Sequence, residues 1–339
     1  MSEYFSTSIP LTEDAFKRRV SYLRVSVTDR CNLRCSYCMP AGKMTFWKED
    51  ELLRTEELFR LLPVFTGLGV RKLRLTGGEP LLRADLEEII AFMKTLKGIE
   101  DISVSTNGLM LAHRAARLRQ AGLRRINVSL DTFRADRFEK ISKSGRLADV
   151  MSGIAKALEI GLSPVKINVV VMRGINDDEI HDFARLVLYQ PLEVRFIELM
   201  PTRNNFVGEA RVGVESFVSC EEIRGKVTEA VALGAEEPRT GVARVFPVKG
   251  GRGRIGFISP ISSHFCGECN RLRLTARGEL KTCLHGTDLV DLKTPLRQGA
   301  TDLELSNIIR KAILGKPPEH FIRPDRFVSP ALQMSRVGG

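Results

Sequence analysis

The chain has 339 residues, of which 43% are hydrophobic and 27% are charged, a composition typical of soluble globular proteins. It contains no apolar run long enough to span a membrane and no N-terminal secretory signal, so we expect a cytoplasmic protein that does not contact a membrane. The net charge of +11 indicates a polyanionic partner, either nucleic acid or a nucleoside triphosphate, or else a basic surface in solvent.

Strands and helices alternate regularly after an irregular N-terminal arm. The predicted strands cover 21–27, 70–75, 101–105, 125–129, 165–171 and 193–198. The predicted helices cover 54–69, 85–96, 112–121, parts of 134–160, and 177–188. This alternation favours an α/β fold with a parallel sheet, either open and doubly wound or closed as a barrel. A closed eight-unit barrel usually needs roughly 250 residues, so six units predict an incomplete (β/α)6 barrel of the TIM type.

The alternation stops near residue 201, where a polar stretch containing glycine begins. Within the remaining chain, the pattern predicts a helix over 215–233 and short strands over 244–248 and 254–259. We therefore expect a C-terminal α+β extension after the barrel. The predicted domains are the arm (1–20), the partial barrel (21–205), the extension (206–325) and a tail (326–339).

Three cysteines, Cys31, Cys35 and Cys38, lie at the C-terminal end of the first predicted strand. Because cytosolic thiols stay reduced, we expect metal ligands rather than disulfide partners. Zinc normally takes four ligands, whereas three closely spaced thiolates suit a four-iron cluster with one iron left open. An open iron can bind a further molecule, which indicates a site for chemistry. A zinc knuckle with a distant ligand, or three thiols beside the core, is the alternative.

Short polar segments follow the other predicted strands. They are 76–80, 106–108, Ser129 with Asp131, and 198–201. Each segment alone is compatible with a turn, because glycine, asparagine and proline are common turn residues. Active groups, however, collect at the carboxyl ends of parallel strands. Their recurrence at one end of successive strands therefore indicates a shared site.

A second cysteine triplet, Cys266, Cys269 and Cys283, lies in the extension with the spacing C-x2-C-x13-C. His264 and His285 lie beside it. A Cys3His zinc site is therefore an open alternative to a second iron–sulfur cluster.

Arginine and leucine alternate between the second and third cysteines of this triplet. In a strand, this pattern places Arg271 and Arg273 on one face, and paired guanidinium groups suit a phosphate or another anion. A basic surface strand is the alternative. Cys220, which is alone on a predicted helix, is expected to be a small buried residue.

The first triplet, with Tyr37 directly before its third cysteine, resembles the cluster motif of the radical S-adenosylmethionine (SAM) enzymes. Its flanks, 28–30 and 38–40, resemble the GTP 3′,8-cyclase family in particular. The pattern Cys-Asn-Arg-Leu-Arg-Leu over 269–274 and the final Gly338-Gly339 resemble the same family. The resemblance covers nearly the whole chain.

This resemblance implies a radical SAM barrel whose extension carries a second cluster, so that the cofactors are two [4Fe–4S] clusters and SAM. The open iron of the first cluster would bind SAM, and that of the second would meet the guanine of GTP. The implied cluster ligands are Cys31, Cys35 and Cys38, then Cys266, Cys269 and Cys283. The residues that match SAM-contacting positions are Tyr37, Gly78, Ser129 and Met200.

Positions that face GTP in the family also have counterparts here. They are Arg24, Arg74, Ser105, Lys166, Arg195, Arg271, Leu272 and Arg273. Ser105 stands where the family carries threonine, and serine retains the hydroxyl group. The positions with implied catalytic roles are Arg271, Arg273, Gly338 and Gly339. Four of these cations, Arg24, Arg74, Lys166 and Arg195, lie in predicted strands. Inside one barrel they would repel each other, and a triphosphate would supply the anion that they need. Four surface charges on edge strands are the alternative.

The implied reaction converts GTP to (8S)-3′,8-cyclo-7,8-dihydroguanosine 5′-triphosphate, the first step of molybdenum cofactor biosynthesis. A 5′-deoxyadenosyl radical removes the hydrogen from C3′ of GTP, and C3′ then attacks C8. The implied partners are a low-potential electron donor, such as flavodoxin or ferredoxin, and the cyclic pyranopterin monophosphate synthase that takes the product. Nucleic acid is not expected as a partner, and the sequence is compatible with a homodimer.

Two other functions stay open on the sequence alone. One is a different radical SAM enzyme with an auxiliary cluster, such as a peptide-maturing enzyme, although those typically use more cysteines than this extension offers. The other is a zinc protein that binds nucleic acid through its basic surface. Six strand–helix units and the absence of zinc-finger spacing argue against the zinc protein.

Overall fold

Parallel strands form the centre of a large sheet in the computed structural model, which describes residues 12–39, 45–200, 206–207, 210–211, 213–239, 241–323 and 334–338. The central strands are β1 (Tyr22–Ser26), β2 (Lys72–Thr76), β3 (Asp101–Thr106), β4 (Arg125–Ser129), β5 (Val165–Val171) and β6 (Leu192–Glu198). The helices between them are α1 (Thr55–Gly67), α2 (Leu86–Thr95), α3 (Leu111–Ala121), α4 (Ala135–Ser142), α5 (Leu147–Glu159) and α6 (Ile180–Tyr189). The predicted α/β partial barrel is confirmed.

The C-terminal part of the chain adds strands to both edges of this sheet. Its strands are β7 (Phe206–Val207), β8 (Ala210–Arg211), β9 (Arg244–Pro247), β10 (Arg254–Ile258), β11 (Arg271–Leu274), β12 (Glu279–Lys281) and β13 (Val290–Asp291). Its helices are α7 (Cys220–Ala230), α8 (Lys293–Arg297), α9 (Asp302–Leu314) and α10 (Met334–Val337). None of the helices described is long and apolar enough to cross a membrane.

The strand order is β13-β12-β11-β1-β2-β3-β4-β5-β6-β10-β9, and β7 pairs only with β8. Strand β11 is parallel to β1, and β10 is parallel to β6, so eight neighbouring strands run in one direction. The extension therefore continues the barrel sheet at each edge instead of packing beside it. The predicted domain boundary at 205/206 stays a prediction, because 201–205 lie outside the described residues.

Alternation along the strands separates the core from the inner face. In β5, Val165, Ile167 and Val169 are buried in the hydrophobic core that packs against the helices. Lys166 and Asn168, between them, point the other way and line an internal cavity. The same sequence pattern that forms the strand thus delivers polar side chains to the inside of the sheet.

Helix α7 is shorter than the helix predicted over 215–233. It begins at Cys220 because the Ser219 hydroxyl accepts a hydrogen bond from the Glu222 N–H at 3.2 Å, which caps the helix. The Cys220 side chain is buried, as predicted. Residues 1–11 of the predicted arm and most of the predicted tail lie outside the described residues.

Glu198, at the end of β6, fastens the barrel to the C-terminal part of the chain. Its buried carboxylate accepts hydrogen bonds from the N–H groups of Cys220, Ile261 and Ser262 at 2.8–2.9 Å. It also accepts one from the Ser262 hydroxyl. The sequence pattern placed Glu198 in a candidate site segment, and the structure shows that its carboxylate is already fully engaged.

We predict that Glu198→Ala lowers the free energy of unfolding by at least about 2 kcal/mol, because it leaves several buried N–H groups without an acceptor. The matched control is Glu159→Ala on an exposed face of α5, which should change stability by less than about 0.5 kcal/mol. Urea unfolding under anaerobic conditions would measure both values. Equal stability of the two variants would contradict the role given to Glu198.

Candidate active site

A cavity of about 620 Å³ lies against the inner face of the sheet. It is lined by strand residues and by the loops at the carboxyl ends of the strands. Among the described residues, nine arginine and lysine side chains and five aspartate and glutamate side chains reach its wall. Part of the excess of positive charge of the chain therefore lies at the cavity wall, where an anionic ligand would meet it.

The first cysteine triplet forms part of this wall. Cys31, Cys35 and Cys38 are free thiols that line the cavity, directly after β1. The loop turns tightly because the Cys35 carbonyl accepts hydrogen bonds from the N–H groups of Cys38 and Met39, both at 2.9 Å. Nearby, the Asn107 side-chain amide lies 3.8 Å from the Cys31 sulfur, where it stabilises a thiolate.

Burial makes these thiols costly to ionise without a metal. It raises the pKa of Cys31 to about 11 and, with the neighbouring Cys31 thiolate, that of Cys38 to about 12. The pKa of Cys35 also lies well above its usual value, through burial and then the Cys38 thiolate. Three thiolates this close to one another need a cationic centre, so the donor set fits an iron–sulfur cluster.

The Gly77-Gly78 loop packs directly against the cysteine loop. A side-chain carbon at Gly78 would collide with the Arg30 carbonyl, and one at Gly77 would collide with the Thr28 carbonyl. The close approach lets the Gly78 N–H donate to the Thr28 carbonyl at 2.8 Å and the Glu79 N–H donate to the Arg30 carbonyl at 2.7 Å. The contact with the cysteine loop therefore requires glycine at both positions.

Glu79 ties the same loop to the end of β3. Its buried carboxylate accepts hydrogen bonds from the Thr106 hydroxyl at 2.6 Å and from the Asn107 N–H at 2.7 Å. Burial raises the pKa of Glu79 to about 7, although these donors oppose the shift. The polar segments after β2 and β3 are thus joined to each other and to the first triplet.

Tyr37 is held by a carboxylate at the end of β4. Its hydroxyl donates a hydrogen bond to Asp131 at 2.7 Å, and the other Asp131 oxygen accepts from the Val170 N–H at 2.9 Å. Ser129, two residues before Asp131, and Met200, two residues after the end of β6, also line the cavity. The arrangement fixes the aromatic ring beside the third cysteine.

The cavity wall contains a row of arginines on neighbouring strands, which we call the arginine row. In the sheet register, Arg273 lies beside Arg24, Arg24 beside Arg74, and Arg74 beside Ser103, which in turn pairs with Arg125. Burial, and then Arg273 and Arg74, hold the pKa of Arg24 well below its usual value. Burial also lowers the pKa of Arg74 to about 10 and that of Arg273 to about 9.

Two other predicted cations share an internal counter-ion. Glu193 accepts a hydrogen bond from Lys166 at 2.7 Å and forms an ion pair with Arg195. Arg125, at the end of the arginine row, is paired in the same way with Asp101. The chain thus supplies part of the negative charge itself. The sequence alone predicts a ligand as the source of the anion and gives no sign of these carboxylates.

The second cysteine triplet lies next to the cavity. Phe265, Asn270 and Leu284, which adjoin its cysteines in sequence, reach the cavity wall, whereas the three thiols are not among the lining residues described. The Arg271 guanidinium lies over the Phe265 ring, 4.9 Å from its centre. The two triplets therefore border one cavity, the first directly and the second through its neighbours.

Two buried cations fasten the second triplet. Lys316 donates a hydrogen bond to the Arg271 carbonyl at 3.1 Å and another to the Thr282 carbonyl, so it bridges the segments that carry Cys269 and Cys283. Burial acts to raise the pKa of the Cys269 thiol, but Lys316 and Arg271 lower it to about 7. Arg18, from the N-terminal segment, donates to the Cys266 carbonyl at 2.9 Å. Within this triplet the surroundings therefore favour the thiolate of Cys269, whereas burial raises the pKa of Cys266.

The nearby histidines make contacts of their own. His264 forms an ion pair with Glu319 at 3.2 Å, and His285 packs edge-on against His320 with ring centres 5.1 Å apart. Burial lowers the pKa of His285 to about 3, so this ring is neutral.

The C-terminal helix brings the end of the chain to the arginine row. The Arg273 guanidinium donates hydrogen bonds to the carbonyls of Val337 and Gly338. Gly338 has a φ of 72° and sits so close to the Thr76 methyl group that a side chain there would collide with it. Gly339 lies outside the described residues, so its role stays a prediction.

Most residues singled out in the sequence meet at this cavity. The predicted ligand-contacting residues on its wall are Arg24, Tyr37, Arg74, Gly78, Ser105, Ser129, Lys166, Arg195, Met200, Arg271 and Arg273. Leu272 does not share their orientation, because its side chain is buried in the hydrophobic core, which leaves only its backbone for a ligand.

Several residues at or beside the cavity carry no signal that singled them out in the sequence. Lys72 and Arg125 begin β2 and β4, and strand alternation with Arg74 and Asn127 could have placed them on the inner face. Lys316 lies in a loop, and no local pattern connects it with the second triplet.

Comparisons with known proteins agree with this site. The radical SAM superfamily model matches residues 25–187, and the model described as Molybdenum Cofactor Synthesis C matches residues 192–322. The GTP 3′,8-cyclase of Heliobacterium modesticaldum is 48% identical over 329 residues, which cover 96% of this chain and 99% of that protein. The GTP 3′,8-cyclase of Moorella thermoacetica is 45% identical over 332 residues, which cover 96% of this chain and 100% of that protein.

A solved structure supports the architecture. Streptococcus suis SuiB bound to S-adenosylmethionine matches with a TM-score of 0.59 and 13% identity, over 92% of this chain and 77% of that chain. At this level of identity the likeness shows the fold alone.

We predict that Gly78→Ala disturbs the first triplet, because the added carbon pushes the Arg30 carbonyl and the cysteine loop away. The iron content of anaerobically reconstituted protein should fall by about four atoms per chain relative to the wild type, the content of one four-iron cluster. Gly225→Ala in α7, where nothing lies within 4 Å of the added carbon, should keep full iron content. A folded Gly78→Ala protein with unchanged iron content would argue against this coupling.

Proposed function

The chain belongs to the GTP 3′,8-cyclase family of the radical SAM superfamily and is an enzyme of molybdenum cofactor biosynthesis, and we propose that one cavity holds both the radical source and GTP. The observation that carries the proposal is a cysteine triplet and a row of buried arginines on the wall of the same cavity. The triplet suits a cluster that binds SAM, and the arginines suit a polyphosphate.

Cys31, Cys35 and Cys38 would hold the first cluster. When bound, this cluster and SAM supply the 5′-deoxyadenosyl radical that removes the hydrogen from C3′ of GTP. We assign Tyr37, Gly78, Ser129 and Met200 to the SAM site because they line the cavity on the same side of the sheet as the triplet. Asp131 positions Tyr37 through the hydrogen bond to its hydroxyl.

Cys266, Cys269 and Cys283 would hold a second cluster that faces the guanine of GTP. Lys316 and Arg271 support this assignment, because they place positive charge beside Cys269 and favour its thiolate form. The Arg18 contact with the Cys266 carbonyl keeps the segment fixed to the rest of the chain. The protein thereby orients the base relative to the radical source.

The arginine row would bind the triphosphate. Burial disfavours the charged form of each guanidinium, and an anion in the cavity offsets this cost. Glu193 keeps Lys166 and Arg195 in place without neutralising the row. Ser105, which also lines the cavity, adds a hydroxyl for the nucleotide.

The C-terminal segment would complete the site. Arg273 donates hydrogen bonds to the Val337 and Gly338 carbonyls. Gly338 therefore lies between the ends of β1 and β2, where it would exclude water. We propose catalytic roles for Gly338 and Gly339, for Arg273, which contacts this segment, and for Arg271 beside Tyr22 at the start of β1. A flavodoxin or ferredoxin as electron donor and the synthase that takes the product remain our expected partners.

Isotope transfer tests the proposed reaction. With GTP deuterated at C3′, SAM and a strong reductant, the anaerobic enzyme should form the cyclised nucleotide and place the deuterium in 5′-deoxyadenosine. Mass spectrometry of both products is the measurement. The control omits GTP, and 5′-deoxyadenosine without deuterium in the complete reaction would refute abstraction from C3′.

Arg24→Met should raise the Kd for GTP by at least about tenfold, because it removes one charge-assisted contact to phosphate. The free energy of unfolding should not fall, since the change also removes a buried charge that Arg74 and Arg273 repel. Arg119→Met on the exposed side of α3 is the matched control and should leave GTP binding unchanged. Anaerobic equilibrium dialysis measures the affinities, and equal Kd values for the two variants would contradict the assignment.

A further inference from the structure

Tyr22 has a phenolic hydroxyl at the cavity wall, and none of the proposed roles in cluster, SAM or GTP binding uses this hydroxyl. It is the first residue of β1 and lines the cavity together with Arg24, two residues further along the same strand. Its hydroxyl oxygen is buried, and no hydrogen-bond partner for it occurs among the residues described. Buried hydroxyl groups normally form a hydrogen bond, so we expect this one to donate its proton to an acceptor.

The surroundings of Tyr22 contain many donors. In the sheet register, it lies between Arg271 on β11 and Lys72 on β2. The Arg74 guanidinium lies over its ring, 5.5 Å from the centre. Arginine and lysine side chains donate hydrogen bonds and cannot accept them. The carboxylate in the same register row, Asp101, is bound by Arg125. An acceptor for the hydroxyl proton must therefore come from the contents of the cavity.

The depth of Tyr22 in the cavity indicates which part of the substrate it meets. Strands rise by about 3.3 Å per residue, so Tyr22 lies roughly 13 Å from Ser26 along β1. The first cysteine triplet follows the Ser26 end, where the ribose must lie for hydrogen abstraction. Tyr22 lies beyond Arg24 at the other end of the strand, between Arg271 and Lys72, and this end is left for the phosphates beyond the ribose.

We propose that the Tyr22 hydroxyl donates a hydrogen bond to a terminal phosphate oxygen of GTP, and so contributes to selection of the triphosphate. The inference deepens the proposed function and rests on GTP as the substrate. Phosphate oxygens accept strongly, and the surrounding guanidinium groups draw the anion to the hydroxyl. Arginine alone would bind any phosphate, whereas a fixed hydroxyl adds a directional contact.

Tyr22→Phe tests this proposal, because it removes only the oxygen and keeps the ring beneath Arg74. Anaerobic equilibrium dialysis of the cluster-loaded enzyme would give the Kd for GTP, inorganic triphosphate and SAM. We expect the first two values to rise about tenfold and the SAM value to stay within twofold. In turnover, KM for GTP should rise while kcat stays nearly constant, because the contact is made in both the ground and transition states.

Tyr189→Phe, at a tyrosine whose side chain is 71% exposed, is the matched control and should change none of these values. Wild-type enzyme is measured first. Failure of the wild type to bind GTP would overturn the proposed function itself. Normal wild-type binding with an unchanged GTP or triphosphate Kd in Tyr22→Phe would overturn only the inference. An equal loss of SAM affinity would also overturn it, because the hydroxyl would then act on the fold.

Discussion

Guanidinium groups buried side by side in one sheet are the constraint on which this structure depends. Arg273, Arg24 and Arg74 are direct neighbours in the register of three parallel strands. Moving a single charge from water into a protein interior costs several kcal/mol, and like charges add repulsion. Asp101, which pairs with Arg125 at the end of the row, offsets part of this cost. In the proposed site a polyanion would offset the rest, so the sheet itself would favour that class of ligand.

The second constraint is the contact between the glycine loop and the cysteine loop. Gly77 and Gly78 lie so close to the backbone of Thr28 and Arg30 that no side chain fits between them. Glu79 then links this contact to the end of β3. The loops after β1, β2 and β3 are therefore one hydrogen-bonded unit. The cysteines of the first triplet are held in place by contacts with the neighbouring loops as well as by hydrogen bonds within their own turn.

The sequence allowed the barrel and much of the site to be predicted, because both depend on local patterns. Alternation in Val165–Val171 predicts the strand and also places Lys166 on its inner face. The spacing of Cys31, Cys35 and Cys38 limits their ligand to a few metal centres. The roles of Ser129 and Met200 came from the family resemblance alone, since nothing in their immediate neighbourhood distinguishes them from turn residues.

What local patterns could not predict are the contacts between distant segments. Nothing near Arg271 in the sequence shows that β11 pairs with β1, yet this pairing places Arg273 beside Arg24 and creates the arginine row. Likewise, β10 joins β6 at the opposite edge, so the extension adds a parallel strand to each side of the barrel. A partial barrel of six strands leaves two open edges, and unpaired backbone groups there favour further strands. The extension satisfies both edges, and at one of them it brings the second cysteine triplet to the cavity that the first triplet borders.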